Sequence, residues 1–390
     1  MSKVSKVLKN LRYTNKPLLL FSLILFIFGL IMVFSASNIS AFMRYGTDPY
    51  HYVITQGKYL LMGLAGFLVI MNIDSKNYIK VCWLGLLGCA GLLICAYLFG
   101  PEINESKGWI NLGFVQFQPS EIVKVVIIAW VATFFEIKKI AYNKVTPSMF
   151  VFGIALLEAG LVVVGGDFGT AAIIVLIIYL MYFLVPVKLD IKLKTIFIYT
   201  FGIMIILSGY FLLNTSKFQR QIDRFQNFGE PCSPEKFEDK GNQVCNSIIA
   251  FNNGGLLGKG LGNSTQKYLY LPESHTDFIF AIVVEETGFV GGAVVLLLFM
   301  TVIFLIIRTG VRSRTFRGSM ICYGVAIYMF LHIAINLGGI SGLIPLTGVP
   351  LPFISYGGTF TICLIGALSM VQRVEIETKL ARKLDSANKK

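Results

Sequence analysis

Apolar residues run along this chain in blocks of about 20, separated by short polar intervals. That is the length at which a helix crosses the roughly 30 Å hydrocarbon core of a bilayer. Windows of this kind predict ten transmembrane helices, near residues 17–36, 58–73, 80–98, 119–136, 147–165, 168–185, 194–213, 277–307, 318–337 and 353–372. The predicted fold is all-α: a polytopic integral membrane protein in which residues 1–390 form one membrane domain, with no soluble module long enough to fold alone. An even number of spans puts both termini on one side. That side collects 23 of the 34 Lys and Arg residues, which marks it as cytoplasmic. One large extracellular loop, about 214–276, then lies outside, and the Lys-rich cytoplasmic tail 373–390 reads as a frayed helix. The first span follows a basic start and resembles a signal peptide, with Ser35-Ala36-Ser37 fit for cleavage; nine further spans favour an uncleaved helix.

Composition narrows the class further. At 55% hydrophobic and 14% charged the chain is not a soluble globule. The net charge of +13 is spread through short loops, which is a topology signal and not a nucleic-acid surface. Cys82, Cys89, Cys95, Cys322 and Cys363 lie in apolar segments and act as small hydrophobes. Cys232 and Cys245 fall in the large loop, where an extracellular setting would allow a disulfide; the sequence leaves this open. The same loop holds Phe218, Ile222 and Phe225 at helical spacing, which fits either an interfacial helix or a packed stub of span seven. Its NNGGLLGKGLGN stretch (252–263) misses the phosphate-loop spacings, so its glycines read as tight turns, with headgroup contact as the alternative.

Candidate chemistry concentrates in Leu271–Gly288, LPESHTDFIFAIVVEETG. Glu273, His275, Asp277, Glu285 and Glu286 sit against or inside an apolar run, and a carboxylate there costs roughly 2.5–3.5 kcal/mol on insertion scales. Asp277 at the outer mouth of span eight fits a general base reached from the outer leaflet, or equally a helix cap. Glu285 and Glu286 lie about 12 Å deeper and diverge by roughly 100°, so both are not expected to face one cavity. They read as structural or supporting groups. Glu121 and Lys124, at i and i+3, form an inward ion pair, either purely structural or presenting Lys124 to a phosphate. Asp167 sits in a tight outer turn, and His332 and Asn336, one turn apart, read as a packed pair or a relay. Pro350 and Pro352 open span ten as a broken, shaped wall. No metal-ligand set is visible.

The strings WINLGFVQFQPSE (109–121), GGDFGTA (165–171), GGLLGKGLGNSTQKYLYLPESHTDFIFAIVVEETG (254–288) and GLIPLTGVPLPFISYGG (342–358) resemble the SEDS family of cell-wall polymerases over nearly the whole chain. The STQKYLYLPESHTDF form is more similar to the division branch, FtsW, or its sporulation relative than to the elongation branch, RodA. The resemblance implies an inverting peptidoglycan glycosyltransferase that polymerises lipid II on the outer face and releases undecaprenyl diphosphate. It puts the essential aspartate at Asp277. Trp109, Glu121, Asp167 and Glu273 carry over with the motif as substrate-side positions; Lys124 and Lys267 are this sequence's own candidates to meet the diphosphate, and His275 is a further substrate-side candidate. A divalent cation, Mg or Mn, would be an optional aid. Implied partners are a class B penicillin-binding protein transpeptidase, other divisome membrane proteins and membrane lipid. The family commonly carries a basic residue directly before the tryptophan; here Gly108 stands there and Lys107 one place earlier. A lipid flippase or a non-catalytic scaffold remains as the alternative function.

Overall fold

The computed structural model describes residues 7, 10–45, 48–102, 106–111, 113, 116–137, 144–215, 219, 222, 231–233, 241–268, 270–272 and 274–388. Its helices, in chain order, are α1 Lys16–Tyr45, α2 His51–Asn72, α3 Tyr78–Phe99, α4 Pro119–Ile137, α5 Val145–Val164, α6 Phe168–Leu184, α7 Leu189–Leu213, α8 Gly241–Gly254, α9 Ile279–Arg312, α10 Phe316–Ile340 and α11 Gly358–Asn388. All but α8 match the ten apolar blocks. Among the described residues, eight are long and apolar enough to cross a bilayer. The other two are α4, which carries Glu121, Lys124 and Glu136, and α6, an apolar helix of 17 residues.

Burial sorts these helices inside out relative to a soluble protein. The most apolar stretch of α7 has none of its residues buried, so α7 faces lipid, whereas 94% of that of α11 is buried. The interior of α11 holds Thr359, Thr361, Ser369, Gln372 and Arg373, because polar side chains within a membrane must face the bundle. At the outer end a short antiparallel hairpin, β1 Ile110–Asn111 and β2 Gln116–Phe117, precedes α4.

Helix α9 departs most from a plain span. It is broken at Gly288 (φ 73°, ψ −177°), and the glycine-rich loop docks into the break. Lys259 N and Gly260 N donate to the carbonyls of Glu285 and Glu286, each at 3.0 Å. Phe289 N and Val290 N donate to Gly255 O at 2.9 Å and Leu256 O at 3.2 Å. Backbone groups freed within a bilayer have no water to turn to, so a second segment must satisfy them. A Cβ on Gly258 would overlap the Glu286 carbonyl, and one on Gly288 the Leu256 carbonyl. The amides at 259 and 260 are thereby committed to the helix and not to an anionic headgroup.

Two further expectations change. The tail is not frayed: α11 is continuous to Asn388, with Arg373 paired to Asp74 and, at 2.8 Å, to Glu377, and Arg314 paired to Asp385. Lys379 bonds Glu375 at 2.9 Å and Thr14 O at 3.0 Å. Cationic composition suggested solvation, but carboxylates from α11 and the 74–77 turn are in reach. Span ten begins at Gly358, and residues before it stay in a loop. Cys232 and Cys245 form a disulfide with Cα atoms 5.0 Å apart. The segment Ser35–Ser37 lies buried inside α1. The expected interfacial helix, apart from Gln219 and Ile222, falls outside the described residues.

Candidate functional site

Asp277 stands half-buried at the outer end, two residues before α9 begins. Its main chain is held by Asn336, whose Nδ2 donates to Asp277 O at 2.7 Å and to Val349 O at 2.8 Å. Neighbouring bonds tie the same strand to the loop ahead of α11. Ser355 Oγ donates to Thr276 O at 2.7 Å and accepts from Leu351 N at 2.9 Å, while Tyr356 N donates to His275 O at 2.9 Å. The buried His275 ring packs against Tyr52 and Tyr356, with centroids 4.3 and 5.6 Å away. Gly348 borders the carboxylate: a Cβ there would stand 3.3 Å from Asp277 Oδ2. The Pro350–Pro352 loop is thus a wall of the Asp277 site, fastened to it by four side-chain hydrogen bonds from Asn336 and Ser355.

Beneath this wall lies a buried polar chain. Lys124 Nζ donates to Glu121 Oε1 at 2.8 Å and contacts His332 Nε2 at 3.1 Å. An ammonium has only donors, so Nε2 accepts, and His332 Nδ1–H donates to Pro350 O at 3.1 Å. The neutral tautomer is assigned by this network. Tyr328 and Phe360 flank the ammonium at 5.7 and 5.9 Å. His332 and Asn336 therefore act on one loop from successive turns of α10.

Asp167 caps α6, accepting from Thr170 N at 2.9 Å through Oδ1 and from Gln118 Nε2 at 3.0 Å through Oδ2. A Cβ on Gly169 would lie 2.9 Å from Thr347 O, so this turn packs directly on the residue before Gly348. Lys107 N and Ser106 Oγ reach Gly165 O at 2.8 and 3.1 Å, joining the half-buried Trp109 segment to the same turn. The outer end accordingly gathers Trp109, Glu121, Lys124, Asp167, His275, Asp277, Pro350 and Pro352.

Lys267, Glu285 and Glu286 form a separate cluster deeper along α9. Lys267 Nζ, fully buried, donates to Glu286 Oε1 at 3.0 Å, Ser35 Oγ at 3.2 Å and Gly262 O at 2.7 Å. Its three donors are directed into this cluster and not toward the Asp277 end, where a diphosphate contact was expected of it. Glu285 accepts from Lys259 at 3.0 Å, Thr265 at 2.7 Å, Gln266 N at 3.2 Å and Ser264 Oγ. Both glutamates serve one loop although they diverge on the helix, because residues 259–267 wrap around α9. Glu273 lies outside the described residues. Sequence reading passed over Tyr52, Gln118, Ser355 and Tyr356; Tyr52 and Gln56, one turn apart and buried, were a detectable polar stripe at the start of α2. Among the described residues no three His, Cys, Asp or Glu side chains converge as a metal site.

The model of the FtsW/RodA/SpoVE family, described as cell cycle protein, matches residues 16–380. The chain is 35% identical over 366 residues to the probable peptidoglycan glycosyltransferase FtsW of Coxiella burnetii, covering 90% of this chain and 93% of that protein. It is 34% identical over 390 residues to the protein of the same name from Bacillus subtilis, covering 96% and 92%. In structure it is similar to a chain from a peptidoglycan synthase complex that coordinates polymerization and crosslinking, with TM-score 0.73, 20% identity and coverage of 94% and 98%. It is also similar to the rod shape determining protein RodA of Thermus thermophilus, with TM-score 0.64, 20% identity and coverage of 93% and 96%.

Proposed function

The chain belongs to the FtsW/RodA/SpoVE family of cell cycle proteins and is a peptidoglycan glycosyltransferase of the FtsW type, and we propose that Asp277 is its general base. The substrate is lipid II, polymerised at the outer face. The acceptor sugar's 4-hydroxyl gives its proton to Asp277 while its oxygen bonds to the donor's anomeric carbon. The bond from that carbon to the diphosphate breaks, and undecaprenyl diphosphate leaves with inversion.

What supports this role is where Asp277 stands: the other described acids near it are tied into the bundle, and Asp277 sits at its outer end in the LPESHTDF string. Glu121, Glu285 and Glu286 are buried and ion-paired, and Asp167 caps a helix. Asp277 is half-buried at the outer end, its main chain is held by Asn336, and Gly348 borders its carboxylate. Lys124, held between Glu121 and His332, positions the Pro350 wall through His332. Lys107, exposed on the segment bound to the Asp167 turn, offers charge to the leaving diphosphate. A divalent cation bound with the substrate would add positive charge at the leaving diphosphate. The setting is septal cell-wall synthesis beside a class B penicillin-binding protein transpeptidase and other divisome proteins, supported by the FtsW relatives and by the structural neighbour's place in a synthase complex.

Asp277→Asn keeps size and capping ability but loses basicity. It should lower lipid II polymerisation by roughly 10²–10⁴-fold, with folding and lipid II binding retained. Near-normal glycan chains from the folded variant would remove Asp277 from the mechanism, since Asn caps about as well as Asp.

A further inference from the structure

The end of the bundle opposite Asp277 carries a cavity of about 310 Å³ between the start of α1, the last turns of α9 and the tail of α11. Arg12, Lys16, Arg308 and Arg312 line it. Three arginines at this end do have carboxylate partners: Arg317 with Glu136 at 3.2 Å, Arg373 with Glu377 at 2.8 Å, and Arg314 with Asp385. None of Arg12, Lys16, Arg308 and Arg312 is in an ion pair with a described carboxylate; the fifth lining cation, Lys379, is. The acid in the lining, Glu375, is taken by Lys379 at 2.9 Å. The floor is closed by Asn15 Nδ2 donating to Thr309 Oγ1 at 3.1 Å. The result is a formed recess with uncompensated positive charge, at the low end of the volume range of ligand sites.

The surface next to the recess decides what kind of anion it fits. One to three turns into the bilayer from Lys16, α1 exposes Leu20, Leu23 and Ile27; beside Arg308 and Arg312, α9 exposes Phe304, Ile307 and Val311. A free anion would use the cations and leave this apolar wall idle. A phosphodiester headgroup with acyl chains uses both. We propose that this recess binds an anionic phospholipid of the adjoining leaflet, its phosphate held by Lys16, Arg308 and Arg312 and its chains lying on α1 and α9.

The test uses the full chain purified in neutral detergent and titrated with phosphatidylglycerol, with bound lipid read by native mass spectrometry. The triple variant Lys16→Gln, Arg308→Gln, Arg312→Gln should lose more than roughly tenfold in affinity. A charge-matched control, Lys80→Gln, Lys188→Gln, Lys194→Gln, removes basic residues outside the recess and should bind as the parent does. Phosphatidylcholine should bind weakly to all three, and excess inorganic phosphate should not displace the lipid. An equal loss in the control would assign binding to diffuse surface charge, displacement by phosphate would assign the site to a soluble anion, and an unchanged triple variant would show the recess unused; each overturns the proposal.

Discussion

Lys124 is fully buried at the meeting point of three elements, and its environment says what removing it would do. Lys124→Met strips the positive charge from a carboxylate that has left water, and breaking a buried pair from one side costs roughly 3–5 kcal/mol. Glu121→Gln combined with Lys124→Met removes both charges and should recover most of that loss. Thermal unfolding in detergent of the two singles and the double measures this coupling; singles that simply add would show that the pair is not a unit. Polymerisation should stay low in the double variant, because His332 Nε2 has lost its donor and the hold on Pro350 weakens. The Glu121–Lys124 pair was legible in sequence because i and i+3 share a helix face. Its third member was not: His332 lies 208 residues away, and no local pattern links it to Lys124.

At the level of elements, hydropathy located the spans because a bilayer imposes one length on every helix. It was blind to the break in α9, since a run of apolar residues around Gly288 scores alike whether the helix is straight or interrupted. The compensating segment, residues 255–260, was visible as a glycine-rich run but not as the partner of a helix break. Its close packing leads to a measurable outcome. Amides of Lys259, Gly260, Phe289 and Val290 should be protected from hydrogen exchange in the native protein, although Leu256, Leu257 and Phe289 side chains are exposed. Gly258→Ala places a Cβ at a positive φ against the Glu286 carbonyl, and backbone strain alone costs about 1–3 kcal/mol. These four amides should then exchange together and far faster, while amides in α10 keep their protection. Independent exchange at the four positions in the native protein would mean that loop and break do not form one unit.

For the molecule as a whole, the two ends are chemically unlike, and α9 runs between them, from just after Asp277 to Arg312. Positive charge gathers at one end because translocating Lys and Arg is disfavoured, so orientation could be read from sequence by counting. Accessibility within the outer loop could not, because polar composition does not separate a residue facing water from one bonded inside. Ser264 illustrates the difference: it is polar and sits in the loop, yet it is fully buried with its hydroxyl on Glu285. Asn263, its neighbour, is exposed. A membrane-impermeant maleimide applied to intact cells should therefore label Asn263→Cys and spare Ser264→Cys. Arg314→Cys, at the basic end, should react only after permeabilisation. The five free native cysteines lie within the spans, so labelling is read above the parent protein's background. Reaction of Arg314→Cys from outside would invert the topology, put Asp277 on the cytoplasmic face, and leave it unable to act on substrate presented at the outer surface. Labelling of Ser264→Cys as fast as Asn263→Cys would instead leave the topology intact and show that the loop is not docked on Glu285 in the membrane.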